Sequence, residues 1–286
     1  RNLMKGSVIP RYSGLPTVLK ENGYYNLFFM THEGQYDNMN AFFRTNGYDE
    51  VFSQEDYPAD KVVNSFGVQD DFLYDYAIPV LNQRAATGQP FFATLLSISN
   101  HPPYVIPPFF HPKTSEPETQ IVEYADWALR QFFEEARKQP WFDNTIFVLE
   151  GDHGKLVGDA ECELPESYNH IPLMIYSSRI QPEEKTTFGG QVDIQPTILG
   201  LLNIDYLQNN FGVDLLKEER PCMFYTADNM VVGRNDTLLY LYNYETQQEL
   251  TYDIGNGKLN AVPMDDSFLP LKEYSFSMLQ SAELDR

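Results

Sequence analysis

Thr145-Ile146-Phe147-Val148-Leu149-Glu150-Gly151-Asp152-His153-Gly154 runs a short apolar segment into a Gly-Asp-His-Gly turn. The run 146–149 reads as a strand buried on both faces, continuous in its hydrophobicity rather than alternating. The carboxyl end of such a strand is where an open α/β sheet keeps its chemistry. Side chains alternate along a strand, but a glycine turn lets two neighbours converge on one ion. Asp152 offers a hard oxygen and His153 a borderline nitrogen, a pair suited to Zn²⁺ or Mn²⁺. The competing reading is an Asp-Gly type turn with a solvated His.

The same arrangement recurs on both sides of this stretch. A strand expected over 24–30 runs into Thr31-His32-Glu33-Gly34. Another, over 90–98, opens into Ser99-Asn100-His101-Pro102-Pro103-Tyr104. A third, over 171–176, follows Asn169-His170. Three strand ends carrying His (His32, His101 and His153) point to one shared metal or anion site.

Between the strands the apolar spacing turns helical. Helices are expected over 15–22, with Pro16 in the first turn and Gly23 as the stop, and over 39–45, 72–83 and 192–202. The clearest covers 118–138, with Ile121, Tyr124, Ala125, Ala128, Leu129 and Phe132 on one stripe. A short strand over 50–52 is expected as well. Residues 1–14, punctuated by Gly6, Pro10 and Gly14, read as a loop, as does the Pro- and aromatic-rich stretch that ends at Pro117.

Strands alternating with helices through about residue 202 predict an α/β fold: a mostly parallel central sheet with helices on both faces. From Pro221 the pattern changes. Strands expected over 223–225, 229–233, 237–244 and 249–253 alternate with turns such as Asn235-Asp236 and Gly255-Asn256-Gly257. They predict a small carboxy-terminal antiparallel sheet, with a closing helix over 271–284. The expected domains are 1–205 and 206–286.

The chain has 286 residues, 42% of them hydrophobic, enough for a substantial core. Its net charge of −21 argues against nucleic acid and against an anionic membrane surface as direct partners. An anionic substrate would need a local cation, and a bound metal is the simplest one. No apolar run approaches the ~18 residues of a membrane helix. The two cysteines, Cys162 and Cys222, form no CxxC motif; one disulfide between them is compatible with the spacing. The chain starts at Arg1-Asn2-Leu3 without a Met, as a piece of something longer would.

Gly151-Asp152-His153-Gly154, Ser99-Asn100-His101-Pro102 and Val192-Asp193-Ile194-Gln195-Pro196-Thr197-Ile198-Leu199, taken together and in this order, resemble the sulfatase-like part of the alkaline phosphatase superfamily. The branch they resemble most is the lipoteichoic acid synthase-like phosphoglycerol transferases. The resemblance covers about 15–202. It implies an extracytoplasmic catalytic domain, anchored to the membrane by upstream helices. It also implies one divalent metal, Mn²⁺ or Zn²⁺, and an anionic phospho- or sulfo-ester substrate, lipid- or glycan-linked. By the same carry-over Asp152 and His153 resemble the metal ligands. His101 resembles a substrate-binding or proton-handling His, and His32 a substrate-contacting one.

The chain departs from that family in two places. The family's acidic ligand and Thr nucleophile lie upstream of the helix that begins here at Leu15, so the amino-terminal part of the catalytic domain is expected to be absent. Thr17 and Ser13 are the substitutes within reach, although Thr17 belongs to the helix after the nucleophile segment. The synthases also carry an aromatic-Trp-Asn-Arg run, where this chain has Tyr36-Asp37-Asn38-Met39.

In this chemistry a hydroxyl attacks a tetrahedral phosphorus or sulfur, and a second acceptor or water resolves the covalent ester. His101 would bind a non-bridging oxygen or protonate the leaving alkoxide; the alternative is a loop His supporting the Pro102-Pro103 turn. His32 is a substrate contact or a strand-end His paired to Glu33 or solvent. His170 is a further substrate contact or part of a structural turn at Pro172. Lys155 is a local cation for the anionic group or a solvated loop Lys. Glu150 is an outer support for His153 or points away, Asp193 caps the helix after it, and His111 reads as surface. An arylsulfatase would need a Cys or Ser in a Cys/Ser-x-Pro/Ala-x-Arg context, and neither cysteine has one. The competing class is a truncated, non-catalytic module that binds an anion or metal.

Overall fold

The computed structural model describes residue 4, residues 9–156 and residues 158–284. Of the loop expected over 1–14, residues 1–3 and 5–8 lie outside the described residues, and 9–14 carry no regular structure. The chain separates into two compact units. One comprises 1–145 with 206–209, the other 146–205 with 210–286.

The first unit is built from α1 (Leu15–Glu21), β1 (Tyr25–Met30), α2 (Met39–Thr45), β2 (Glu50–Phe52), α3 (Asp70–Ala85), β3 (Phe91–Leu96) and α4 (Pro117–Ala136). Its strands form a parallel sheet in the order β2-β1-β3. The central strand β1 is buried on both faces, which is why it reads Leu-Phe-Phe-Met without alternation. Phe28 and Met30 pack with Met39, Tyr48 and Val51 on one side. Phe29 stacks on Phe52 at 4.7 Å. Helix α4 buries the expected stripe of Ile121, Tyr124, Ala128 and Phe132.

The second unit holds β4 (Phe147–Glu150), β5 (Leu173–Tyr176), α5 (Ile194–Leu201), β6 (Met223–Ala227), β7 (Met230–Arg234), β8 (Leu238–Asn243), β9 (Gln248–Asp253), β10 (Asn260–Ala261) and α6 (Leu269–Leu284). β4 and β5 pair antiparallel. A parallel pair needs a crossover, usually helical, and among the described residues only a single 3-10 turn at Glu166–Tyr168 lies between these two strands. The carboxy-terminal strands form an antiparallel sheet in the order β10-β9-β8-β7-β6. Alternation on β8 divides its two faces. Leu239 and Leu241 join a core with Val232 and Tyr252, whereas Tyr240 packs with Phe268 and Leu271 beneath α6.

The chain is thus α/β, with a parallel core sheet flanked by helices and a smaller antiparallel sheet nearer the carboxyl terminus, as expected. The membrane association carried over with the resemblance is corrected. No helix among the described residues is long and apolar enough to cross a bilayer. Helix α4 has 20 residues, but Glu118, Glu123, Asp126, Arg130, Glu134 and Glu135 make it a half-solvated helix. Cys162 and Cys222 are both free thiols.

Candidate functional site

In the first unit, β1 ends at Met30 and delivers His32, which is 2% exposed. The backbone there is tightly covered. A Cβ on Gly67 would lie 1.7 Å from the Thr31 carbonyl oxygen, and Gly67 has φ +90°, so only glycine lets the 66–68 segment approach this closely. His32 Nδ1 lies 3.1 Å from the Glu33 carbonyl oxygen.

β3 ends at Leu96, and the turn after it delivers His101, whose amide donates to the Ile98 carbonyl at 2.8 Å. His101 Nδ1 lies 2.6 Å from the Pro102 carbonyl oxygen. The two imidazoles are linked by aromatic rings: His32 to Tyr36 at 4.7 Å, Tyr36 to Phe66 at 6.3 Å, and Phe66 to His101 at 4.2 Å. Tyr36 and Phe66 were not singled out as site residues in the sequence. Aromatic content was visible there, but core packing is its default meaning.

In the second unit, β4 ends at Glu150 and the Gly151–Gly154 turn follows. Gly154 N–H donates to the Tyr168 carbonyl at 2.9 Å, and a Cβ on Gly154 would lie 1.9 Å from the Ser167 oxygen. Gln191 donates through Nε2 to the carbonyl oxygens of Asp152, at 2.9 Å, and Gly151, at 3.3 Å. Gln191 too escaped sequence reasoning, since its partners are 39 and 40 residues away. Within the turn, the Asp152 carboxylate accepts from the His153 amide at 2.9 Å, and its other oxygen is 3.7 Å from His153 Nε2. His153 Nδ1 lies 2.7 Å from the Gly154 carbonyl oxygen. Both side chains are exposed.

His32, His101 and His153 therefore share one device: Nδ1 faces the carbonyl of the following residue. A carbonyl oxygen only accepts, so Nδ1 carries the proton in all three, and Nε2 is the atom left to meet a ligand.

Lys155 and His170 are exposed in the second unit, and the His170 amide donates to the Glu166 carbonyl. Burial, then the charge of Asp152, pushes the Glu150 carboxyl up. The Thr17 hydroxyl donates to the Gly14 carbonyl and accepts from the Gly14 amide, so it is consumed in starting α1. The expected cap is not made: the Asp193 side chain forms no capping hydrogen bond to α5. It is fully buried and accepts from the Gly190 and Val213 amides. It also pairs with Arg220 at 2.5 Å.

The manganese site carried over with the resemblance is corrected. Among the described residues, no group of three or more His, Cys, Asp or Glu side chains is placed to hold a metal ion. Catalytic zinc sites use three protein donors and structural ones four. Asp152 and His153 supply two, both turned to solvent. The residues present do not complete a metal site.

The comparisons agree with this architecture. Residues 4–204 match the family model described as Sulfatase. Lipoteichoic acid synthase 1 of Bacillus subtilis is 26% identical over 270 residues, which cover 86% of this chain and 40% of that protein. The chain thus spans about two fifths of the length of that curated relative. A crystal structure of a protein in the alkaline phosphatase superfamily from Vibrio parahaemolyticus superposes with a TM-score of 0.85 at 27% identity, covering 100% of this chain and 72% of that one. A lipoteichoic acid synthase from Listeria monocytogenes shares the fold at TM-score 0.82 and 22% identity, with coverages of 99% and 74%.

Proposed function

The chain belongs to the sulfatase family, and from that premise we propose that it acts in the hydrolysis or transfer of an anionic phospho- or sulfo-ester. The observation that carries this reading is the pair of strand-end imidazoles, His32 and His101, with Nδ1 of each turned to a carbonyl and an aromatic bridge between them. Protonated, each Nε2–H donates to a non-bridging ester oxygen, a charge-assisted contact. His101 is the proton handler: as an acceptor hydroxyl or water attacks the phosphorus or sulfur and the ester P–O or S–O bond breaks, Nε2–H passes its proton to the leaving oxygen and then takes up the proton that the attacking group sheds. Its exposure leaves room for that exchange, whereas His32, nearly buried, suits a fixed contact.

Between the two ester classes, phospho-ester transfer of the phosphoglycerol type is favoured. Neither Cys162 nor Cys222 has the sequence context of a formylglycine precursor, and the Bacillus relative is named for lipoteichoic acid synthesis. The substrate is accordingly proposed to be linked to a lipid or glycan of the cell envelope, with the domain outside the cytoplasm. No step is routed through a metal, because the described residues supply only the Asp152–His153 pair. Lys155 and His170 are proposed as anion contacts within the second unit taken by itself.

A second reading has one observation in its favour. A chain whose described residues hold only two donors is what a non-catalytic anion-binding module would show.

The test is turnover of a chromogenic phosphodiester and a chromogenic sulfate ester, by this chain and by His101→Ala. Phosphodiester turnover that falls with His101→Ala supports the enzyme reading. Anion binding without turnover of either ester, on the chain and on a longer form that restores upstream sequence, favours the binding module.

A further inference from the structure

The buried carboxylate of Asp70 has no role in the site so far. It is 2% exposed and sits in the first turn of α3. An acidic residue in a first turn ordinarily serves its own helix. Asp70 instead reaches across to the exit of β3: Oδ1 accepts from the Ile98 amide at 2.9 Å and the Ser99 amide at 3.0 Å. The contact is reciprocal, for the Asp70 amide donates to Ser99 Oγ at 3.0 Å.

Burying a carboxylate is costly unless it is paired or hydrogen-bonded. Burial, and to a lesser degree the neighbouring Asp71, push the Asp70 carboxyl up, while the Ile98 and Ser99 groups pull it back. An apolar residue at this position would leave the Ile98 and Ser99 amides without their acceptor, so the carboxylate holds the direction of the turn as well as filling the space. The two amides it holds open the turn that His101 closes with its bond to the Ile98 carbonyl. Asp70, Ile98, Ser99 and His101 thus form one chain of hydrogen bonds from the start of α3 to the backbone amide of His101.

We propose that Asp70 is a positioning residue for His101: it fixes the Ile98–His101 turn, and through it the direction in which His101 presents Nε2. The proposal rests on the reading of His101 as the proton handler for its consequence in turnover, but not for its geometry. A displacement of about 1 Å at a reacting group can cost on the order of 100-fold in rate.

The test reads His101 directly, by nitrogen-resolved NMR of its imidazole in the wild-type chain, Asp70→Ala, Asp70→Asn and Ser99→Ala. Asp70→Asn retains a carbonyl oxygen that can accept both amides, so it should keep the wild-type Nδ1–H tautomer of His101. Asp70→Ala should lose the tautomer preference, with Ser99→Ala intermediate. Phosphodiester turnover should fall at least about tenfold in Asp70→Ala and recover in Asp70→Asn. If Asp70→Ala unfolds, the contrast between Asp70→Asn and Ser99→Ala still decides. His101 resonances unchanged in every folded variant would overturn the positioning role. Resonances that move as predicted while turnover in His101→Ala equals wild type would leave the positioning role standing and sink the proton-handling reading.

Discussion

The rings of Phe66 and His101 lie 4.2 Å apart, inclined at 45° to one another. With Nδ1 held by the Pro102 carbonyl, this contact leaves the imidazole few other orientations. Aromatic pairs of this kind are worth about 0.5–1.5 kcal/mol beyond the area they bury. Phe66→Leu keeps most of the volume and removes the ring–ring contact. It is expected to lower phosphodiester kcat by up to about tenfold, with little change in melting temperature. Equal losses of turnover and stability would mean that the ring serves packing alone.

The Gly151–Gly154 turn offers a sharper contrast. A Cβ on Gly151 would meet Ile171 side-chain atoms at 3.4 Å, an ordinary contact, whereas one on Gly154 would lie 1.9 Å from the Ser167 carbonyl oxygen. Gly151→Ala is therefore expected to leave chemical denaturation nearly unchanged. Gly154→Ala is expected to destabilise by about 1–3 kcal/mol, the usual cost of overpacking. Similar denaturation midpoints for the two variants would contradict the close approach of Gly154 to Ser167.

Asp193 and Arg220 form the second unit's best-buried ion pair among the described residues, at 0% and 10% side-chain exposure. Burial works against the Arg220 charge, but the hydrogen bonds and charge of Asp193 raise its pKa overall. Breaking a buried pair from one side costs about 3–5 kcal/mol, because the remaining charge is stranded. Arg220→Met should lower stability by an amount in that range. The double variant Asp193→Leu/Arg220→Met should recover part of the loss, and a double variant no better than the single would argue against stranding as the cause.

Glu55 supplies a pH signature. Burial alone would raise its carboxyl, but the Ser53 hydroxyl, the Glu55 and Gly34 amides and the charge of His32 outweigh it and hold the pKa below the ordinary 4.5. A carboxyl depressed by folding adds stability above its unfolded value, and that stability is lost as pH falls through the folded value. The melting temperature of Glu55→Gln should thus lie below wild type near pH 7, with the gap closing toward pH 3. A gap independent of pH would refute the assignment.

Most elements were legible because their signals are local. The unbroken Leu27–Met30 run, the α4 stripe and the turns between β6 and β9 each declare themselves within a few residues. What stayed hidden depends on distant partners. The helix expected from residue 72 begins at Asp70, and the bonds that make Asp70 matter reach 28 and 29 residues along the chain. Asp193 reads locally as a cap, and its pairing with Arg220, 27 residues on, has no sequence period. The β4–β5 pair turned out antiparallel, and among the described residues no α-helix lies between the two strands. At the site, the strand-end histidines could be read off the chain. Their common Nδ1 anchorage could not, because it depends on side-chain torsions.

The most direct test of the central claim is a calorimetric titration of glycerol phosphate into this chain and into His32→Ala/His101→Ala. Each lost charge-assisted hydrogen bond is worth about 1.5–3 kcal/mol, so the double variant should bind at least about tenfold more weakly while keeping its fold. Equal affinity in the two proteins would contradict the claim that the paired imidazoles of the first unit receive the anionic ester.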